Sequence, residues 1–181
     1  MRLNICLAAL AATVAFTSPA YAQAITDSDV AEARGTVLLP LSVTNDAPLD
    51  FGTVMASNTL AGTVTVDAED GTRTTGGGGG VSLIALNPGG RGLFTVTATT
   101  GQIVDLTVTP PVGDVLNGPG GAQVTVSDLH LDNVAAGVLT DSRTMGAGGT
   151  LVVGVGGTFD IAAGQANGSY TADFSLTANY N

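Results

Sequence analysis

Lysine and tryptophan are missing altogether, and cysteine and histidine occur once each among 181 residues. Without lysine there is no Schiff base, no phosphate-loop lysine and no lysine-based covalent cross-link between chains. Cys6 has no partner for a disulfide, so the fold must be held by its core alone. One histidine and one cysteine leave carboxylates as the main metal ligands, a set that suits calcium better than zinc. Basic residues are scarce too: five arginines face fifteen acids, and the net charge of −10 disfavours nucleic acid and anionic lipid headgroups as partners. The longest apolar run, near the start, falls short of the roughly 20 residues a helix needs to span a bilayer. The chain is therefore expected not to span a membrane.

That early run has a meaning of its own. Arg2, the apolar stretch Ile5 to Phe16 and the small-x-small site Ala20-Tyr21-Ala22 together read as a secretory signal over residues 1–22, with Cys6 inside it. Cleavage there predicts an exported chain of about 159 residues, enough for one domain with a proper core. Residues 23–35 are polar and acidic and read as an N-terminal extension, with the domain proper over 36–181.

The clearest pattern is at the other end. From Gly168 to Asn181 the residues alternate, placing Tyr170, Ala172, Phe174, Leu176, Ala178 and Tyr180 on one face of a strand and Thr171, Asp173, Ser175, Thr177 and Asn179 on the other. A terminal strand with a continuous apolar face must be covered, by its own domain or by a partner. Near the start, Val37, Leu39, Leu41 and Val43 form a second apolar face, opposed by Pro40, which places that strand at an edge or in an unusual pairing because proline has no backbone donor.

Between these ends lie short runs rich in threonine and valine. Strands are expected at Leu49 to Val54, Gly62 to Asp67, Val81 to Ala85, Leu93 to Thr97, Ile103 to Thr109, Gln123 to Leu131 and Gly149 to Ile161. Asp67 to Gly71 reads as a hairpin tip, Gly76 to Gly80 as a flexible loop, and Gly156-Gly157 as a kink or turn. A change of phase between Val126 and Leu129 suggests a bulge. Eight or nine such strands and no amphipathic helix predict an all-β, Ig-like antiparallel sandwich.

Two resemblances follow from these residues. Gly168 fourteenth from the end, the penultimate Tyr180 and the alternation between them resemble the C-terminal signature of pilins assembled by the chaperone–usher route. That resemblance implies a sandwich short of one strand, whose C-terminal strand is bound first by a periplasmic chaperone. The subunit then passes an outer-membrane usher, and the N-terminal segment of a neighbouring copy or related subunit fills the groove. Its candidate donor residues here are Val37, Leu39, Leu41 and Val43, with the donor extending as far as residue 43. Many such pilins carry a disulfide, and this chain departs from them there.

The second resemblance covers most of the chain after the signal. Leu49-Asp50-Phe51-Gly52-Thr53-Val54, Gly62 to Asp67, Phe94 to Thr97 and the tail from Val155 to Asn181 are similar to the bacterial exported proteins of the domain of unknown function 4402 family. It implies an exported, fimbria-related β-sandwich without a catalytic site or cofactor. The expectation is a non-catalytic structural subunit of a surface fimbria, periplasmic in transit and then on the cell surface. The alternative is a self-complemented exported adhesin or envelope-associated binding domain. Catalysis finds little footing in the residues: His130, between Leu129 and Leu131, has no nucleophile elbow to serve.

Overall fold

The structure, a computed structural model, describes residues 28–181. The signal and its cleavage site, residues 1–22 with Cys6, lie outside the described residues, as does the first part of the extension. Residues 28–36 form a unit apart from Val37–Asn181. They carry no regular secondary structure, Val30 is 93% exposed, and Arg34 reaches Glu32 at 2.7 Å.

Twelve strands occupy the rest of the described chain: β1 Ser42–Ala47, β2 Val54–Ala56, β3 Gly62–Val66, β4 Arg73–Gly76, β5 Val81–Leu83, β6 Gly92–Thr97, β7 Ile103–Thr109, β8 Val115–Asn117, β9 Gln123–Leu131, β10 Thr140–Thr144, β11 Thr150–Ile161 and β12 Ser175–Tyr180. Two three-residue 3-10 turns, Val112–Asp114 and Pro119–Gly121, are the helical content among the described residues. All strand pairs are antiparallel. The protein is an all-β sandwich, as the alternation predicts.

The long strand β11 organises the larger sheet. Val155 pairs with both Gly92 of β6 and Leu131 of β9, so β6 and β9 lie on opposite edges of β11. Thr158 pairs with both Thr65 of β3 and Ser127 of β9, so β3 follows β6 along the same edge. β1 extends the sheet beyond β6, β4 beyond β3, and β8 beyond β9. The smaller sheet runs β10-β7-β12, and β2 with β5 makes a separate ribbon.

The core is the set of one-face residues of these strands, Val104, Leu106 and Val108 of β7 meeting Val96, Val153, Val155 and Leu131, all at most 1% exposed. Two details explain how the pattern is sustained. At Asp128, whose φ is +52°, two residues of β9 oppose Gly157 of β11; this bulge restores burial to Leu129 and Leu131 after Val124 and Val126. At Gly154 and Gly156 a Cβ would overlap the backbone of Val66 and Ala68, which crosses that face of β11. Gly156-Gly157 is thus not a turn: β11 continues through both, with its register to β9 shifting there, and glycine at 156 is needed for close backbone approach.

Other expectations are corrected in the same terms. Leu49 to Thr53 is not strand, since Asp50 caps the Gly52 amide at 2.7 Å and Gly52 takes φ +71°; apart from an isolated bridge of Asp50 with Gly90, strand pairing begins at Val54. The glycine run is no featureless loop: Gly77, Gly78 and Gly79 all hold positive φ, and a Cβ on Gly80 would overlap the carbonyls of Leu60 and Ala61. The first strand begins at Ser42 rather than near Gly35. β10 was unforeseen, because Thr-Asp-Ser-Arg-Thr has no apolar face.

Candidate functional site

The outer strands of the two sheets frame the candidate site. β1 pairs with β6 alone and β12 with β7 alone, so each leaves its other edge without a strand partner among the described residues. The two come close to one another. At one end, the Tyr180 hydroxyl donates to the Leu39 carbonyl at 2.7 Å and accepts from the Thr99 amide at 2.8 Å, while the Leu39 amide donates to Thr99 Oγ1 at 2.6 Å. At the other end, Phe174 packs edge-on against Phe94, their centroids 5.8 Å apart, and Phe94 is opposite Asn45 of β1. Beside Phe174 opens a cavity of about 250 Å³, lined by Asn45, Pro48, Leu49, Phe94, Leu129 and Ala172 among others.

The residues of the C-terminal face do not all share one strand. Leu176 is buried, Ala178 and Tyr180 are half-buried, and these three do alternate along β12. Phe174 lies just before the strand and is half-buried. Ala172 is exposed. Tyr170 turns away to meet Phe159 edge-on at 6.4 Å, its hydroxyl donating to the Ala166 carbonyl at 2.6 Å and accepting from Gln165 Nε2 at 2.8 Å. Gly168, at φ +144°, lies where a Cβ would overlap the Pro119 ring. The expected strand from Gly168 to Asn181 is therefore shortened to Ser175–Tyr180, with one isolated bridge between Thr171 and Asn117. At the N-terminal end, Val37 and Leu39 are 94% and 60% exposed, whereas Leu41 packs against the core and Val43 pairs with Val96.

The arginines of the domain are occupied in holding it together. Arg73 donates to the Phe51 carbonyl at 2.8 Å. Arg91 donates to the carbonyls of Ala68 and Glu69, at the point where β11 exchanges β6 for β3. Arg143 lies 2.7 Å from both Asp132 and Asp141. Burial opposes the Arg143 charge, but hydrogen bonds from the guanidinium to Asp141 and Asp132 outweigh it and raise its pKa. In the β3–β4 hairpin the Thr72 amide donates to Asp70 at 2.7 Å and holds that carboxyl below its ordinary value. His130 is half-buried, with Nδ1 2.6 Å from the Asp128 carbonyl. No group of three or more His, Cys, Asp or Glu side chains gathers into a metal-binding set among the described residues.

Residues 41–180 match the family described as a domain of unknown function, DUF4402. This chain belongs to that family. No curated protein and no solved structure matches it. The matched span begins just before β1 and ends with Tyr180, so the DUF4402 domain contains both outer strands and leaves the exposed segment through Pro40 outside.

Proposed function

We propose that this DUF4402 protein is a non-catalytic structural subunit of a bacterial surface fimbria, exported by its signal and assembled by donor-strand exchange. The observation that carries the reading is the pair of outer strands β1 and β12, unpaired on their free edges, beside an apolar cavity at Phe174. An extended peptide laid along such an edge gains main-chain hydrogen bonds and places alternate side chains in the gap. Before assembly a periplasmic chaperone, with the outer-membrane usher, supplies that strand; afterwards a neighbouring copy or related subunit does. The exposed side chains of Val37 and Leu39 fit the donor role, with the Leu39 backbone released from Tyr180 and Thr99 in the exchange. Leu41 and Val43 already serve their own domain, so the donor segment ends before them. Because each subunit donates to the next, the contacts are heterologous and an open filament results.

Shearing the cell surface and comparing boiled with unboiled samples by denaturing electrophoresis tests this. A ladder of multimers that collapses to one band on boiling is expected. One monomer band under both conditions points to the second reading, a self-complemented exported adhesin or envelope-associated binding domain. The pairing of β1 with β6 inside its own sheet favours that alternative.

A further inference from the structure

A larger cavity, about 620 Å³, opens between β2 and the stretch from Gln165 to Thr171. We infer that it binds a neutral polyhydroxylated ligand, a saccharide carrying neither carboxylate nor phosphate. Its volume falls within the roughly 300–1,000 Å³ of small-molecule sites. Phe159 of β11 forms part of its wall, stacked on Phe51 at 5.1 Å and braced by Tyr170, whose hydroxyl is fixed by Gln165 and Ala166. The shape on that side is therefore set by packed aromatic rings rather than by a mobile loop.

The chemistry of the rim selects the ligand class. Asn58, Asn87 and Asn167 are exposed residues of the cavity lining, and their side-chain amides make no hydrogen bond within the protein among the described residues. Each amide offers both a donor pair and an acceptor, the complement of sugar hydroxyls that also donate and accept. Asp50 is the one charged residue of the lining among the described residues, and one oxygen of its carboxylate accepts from the Gly52 amide. Arg73, which reaches the Phe51 carbonyl, does not line the cavity. Among the described residues the lining holds no cation for an anionic sugar or a phosphate, and no carboxylate set for a metal. In a chain of net charge −10, a lining with one carboxylate and no described cation favours a neutral ligand. The three asparagines come from separate turns, 29 and 80 positions apart, and only the fold assembles them. The inference does not depend on filament formation.

The test is a titration of the nitrogen-15-labelled chain with galactose, mannose, N-acetylglucosamine, lactose and glucuronate, following side-chain amide resonances. At least one neutral sugar should shift Asn58, Asn87 and Asn167 saturably, and glucuronate should not. Asn87→Ala and Asn167→Ala should each weaken binding about tenfold, the effect of one lost hydrogen bond, with the folded spectrum retained. Asn58→Ala serves the same purpose should either variant fail to fold. Absence of saturable shifts with every sugar, equal binding of glucuronate, or unchanged affinity in the variants overturns the inference. A synthetic peptide of residues 28–40 that shifts these amides where no sugar does would assign the cavity to a chain segment instead, and overturn it as well.

Discussion

The hydroxyl of Tyr180 joins three pieces of chain that are remote in sequence, Leu39, Thr99 and the end of β12. It satisfies one backbone donor and one backbone acceptor that neither sheet pairs. Tyr180→Phe keeps the ring and removes both bonds, so a loss of about 1–2 kcal/mol in urea unfolding is expected, with faster hydrogen exchange at the Leu39 and Thr99 amides. Unchanged exchange at those two amides would show that the clamp does not hold the N-terminal segment. Arg143 is a second residue whose work is local. Asp132 and Arg143 side chains are each 13% exposed, and removing the guanidinium leaves the Asp132 and Asp141 carboxylates without their cation. Arg143→Ala should cost about 2–4 kcal/mol, near the range for breaking a buried pair, whereas an exposed pair such as Arg34 with Glu32 should cost almost nothing. Chemical denaturation of both variants compares the two directly.

Strands that bury a single face were legible in the sequence; those positioned by other forces were not. Ile103–Thr109 and Gln123–Leu131 have the expected bounds, bulge included, because valine and leucine at alternate positions leave the backbone one way to bury them. β10 has no such face; it is held by pairing with β7 and by the contacts of Arg143. The reverse error occurs at Gly168 to Phe174, where alternation persists but Pro119 and Phe159 draw the chain out of the sheet. Phe174 at the junction distinguishes the two faces of this terminal element. Its ring packs on Phe94, whereas Asp173 is exposed. Phe174→Asp should abolish surface assembly, because it removes the ring packed on Phe94 and puts a charge in its place, while Asp173→Ser, at an exposed position on the rim of the same cavity, should leave assembly near its normal level. Immunoblots of the sheared surface fraction measure both, and equal yields would remove β12 from the assembly interface.

At the scale of the whole molecule, composition alone fixed what the chain lacks, and alternation fixed its class, but the candidate site was legible only at its ends. The C-terminal face and the exposed Val37 and Leu39 could be read from spacing; the free edges of β1 and β12 and the asparagine-lined cavity depend on which strands pair, and no local pattern encodes that. The same division locates the boundary of the domain. Val37–Asn181 is one compact unit, residues 28–36 do not belong to it, and the Tyr180 clamp takes hold at Leu39. Deleting residues 23–37 should therefore leave a cooperatively folded domain with its core intact, since the core cluster starts at Leu41. In the donor-strand reading this truncated chain can accept a neighbour's strand but cannot donate one, so it should cap growing chains when co-expressed with the full protein. Ladder length should fall as the truncated fraction rises. A ladder indifferent to that fraction would mean that the N-terminal segment is not what joins one copy to the next, and that the free edge of β12 serves some other partner.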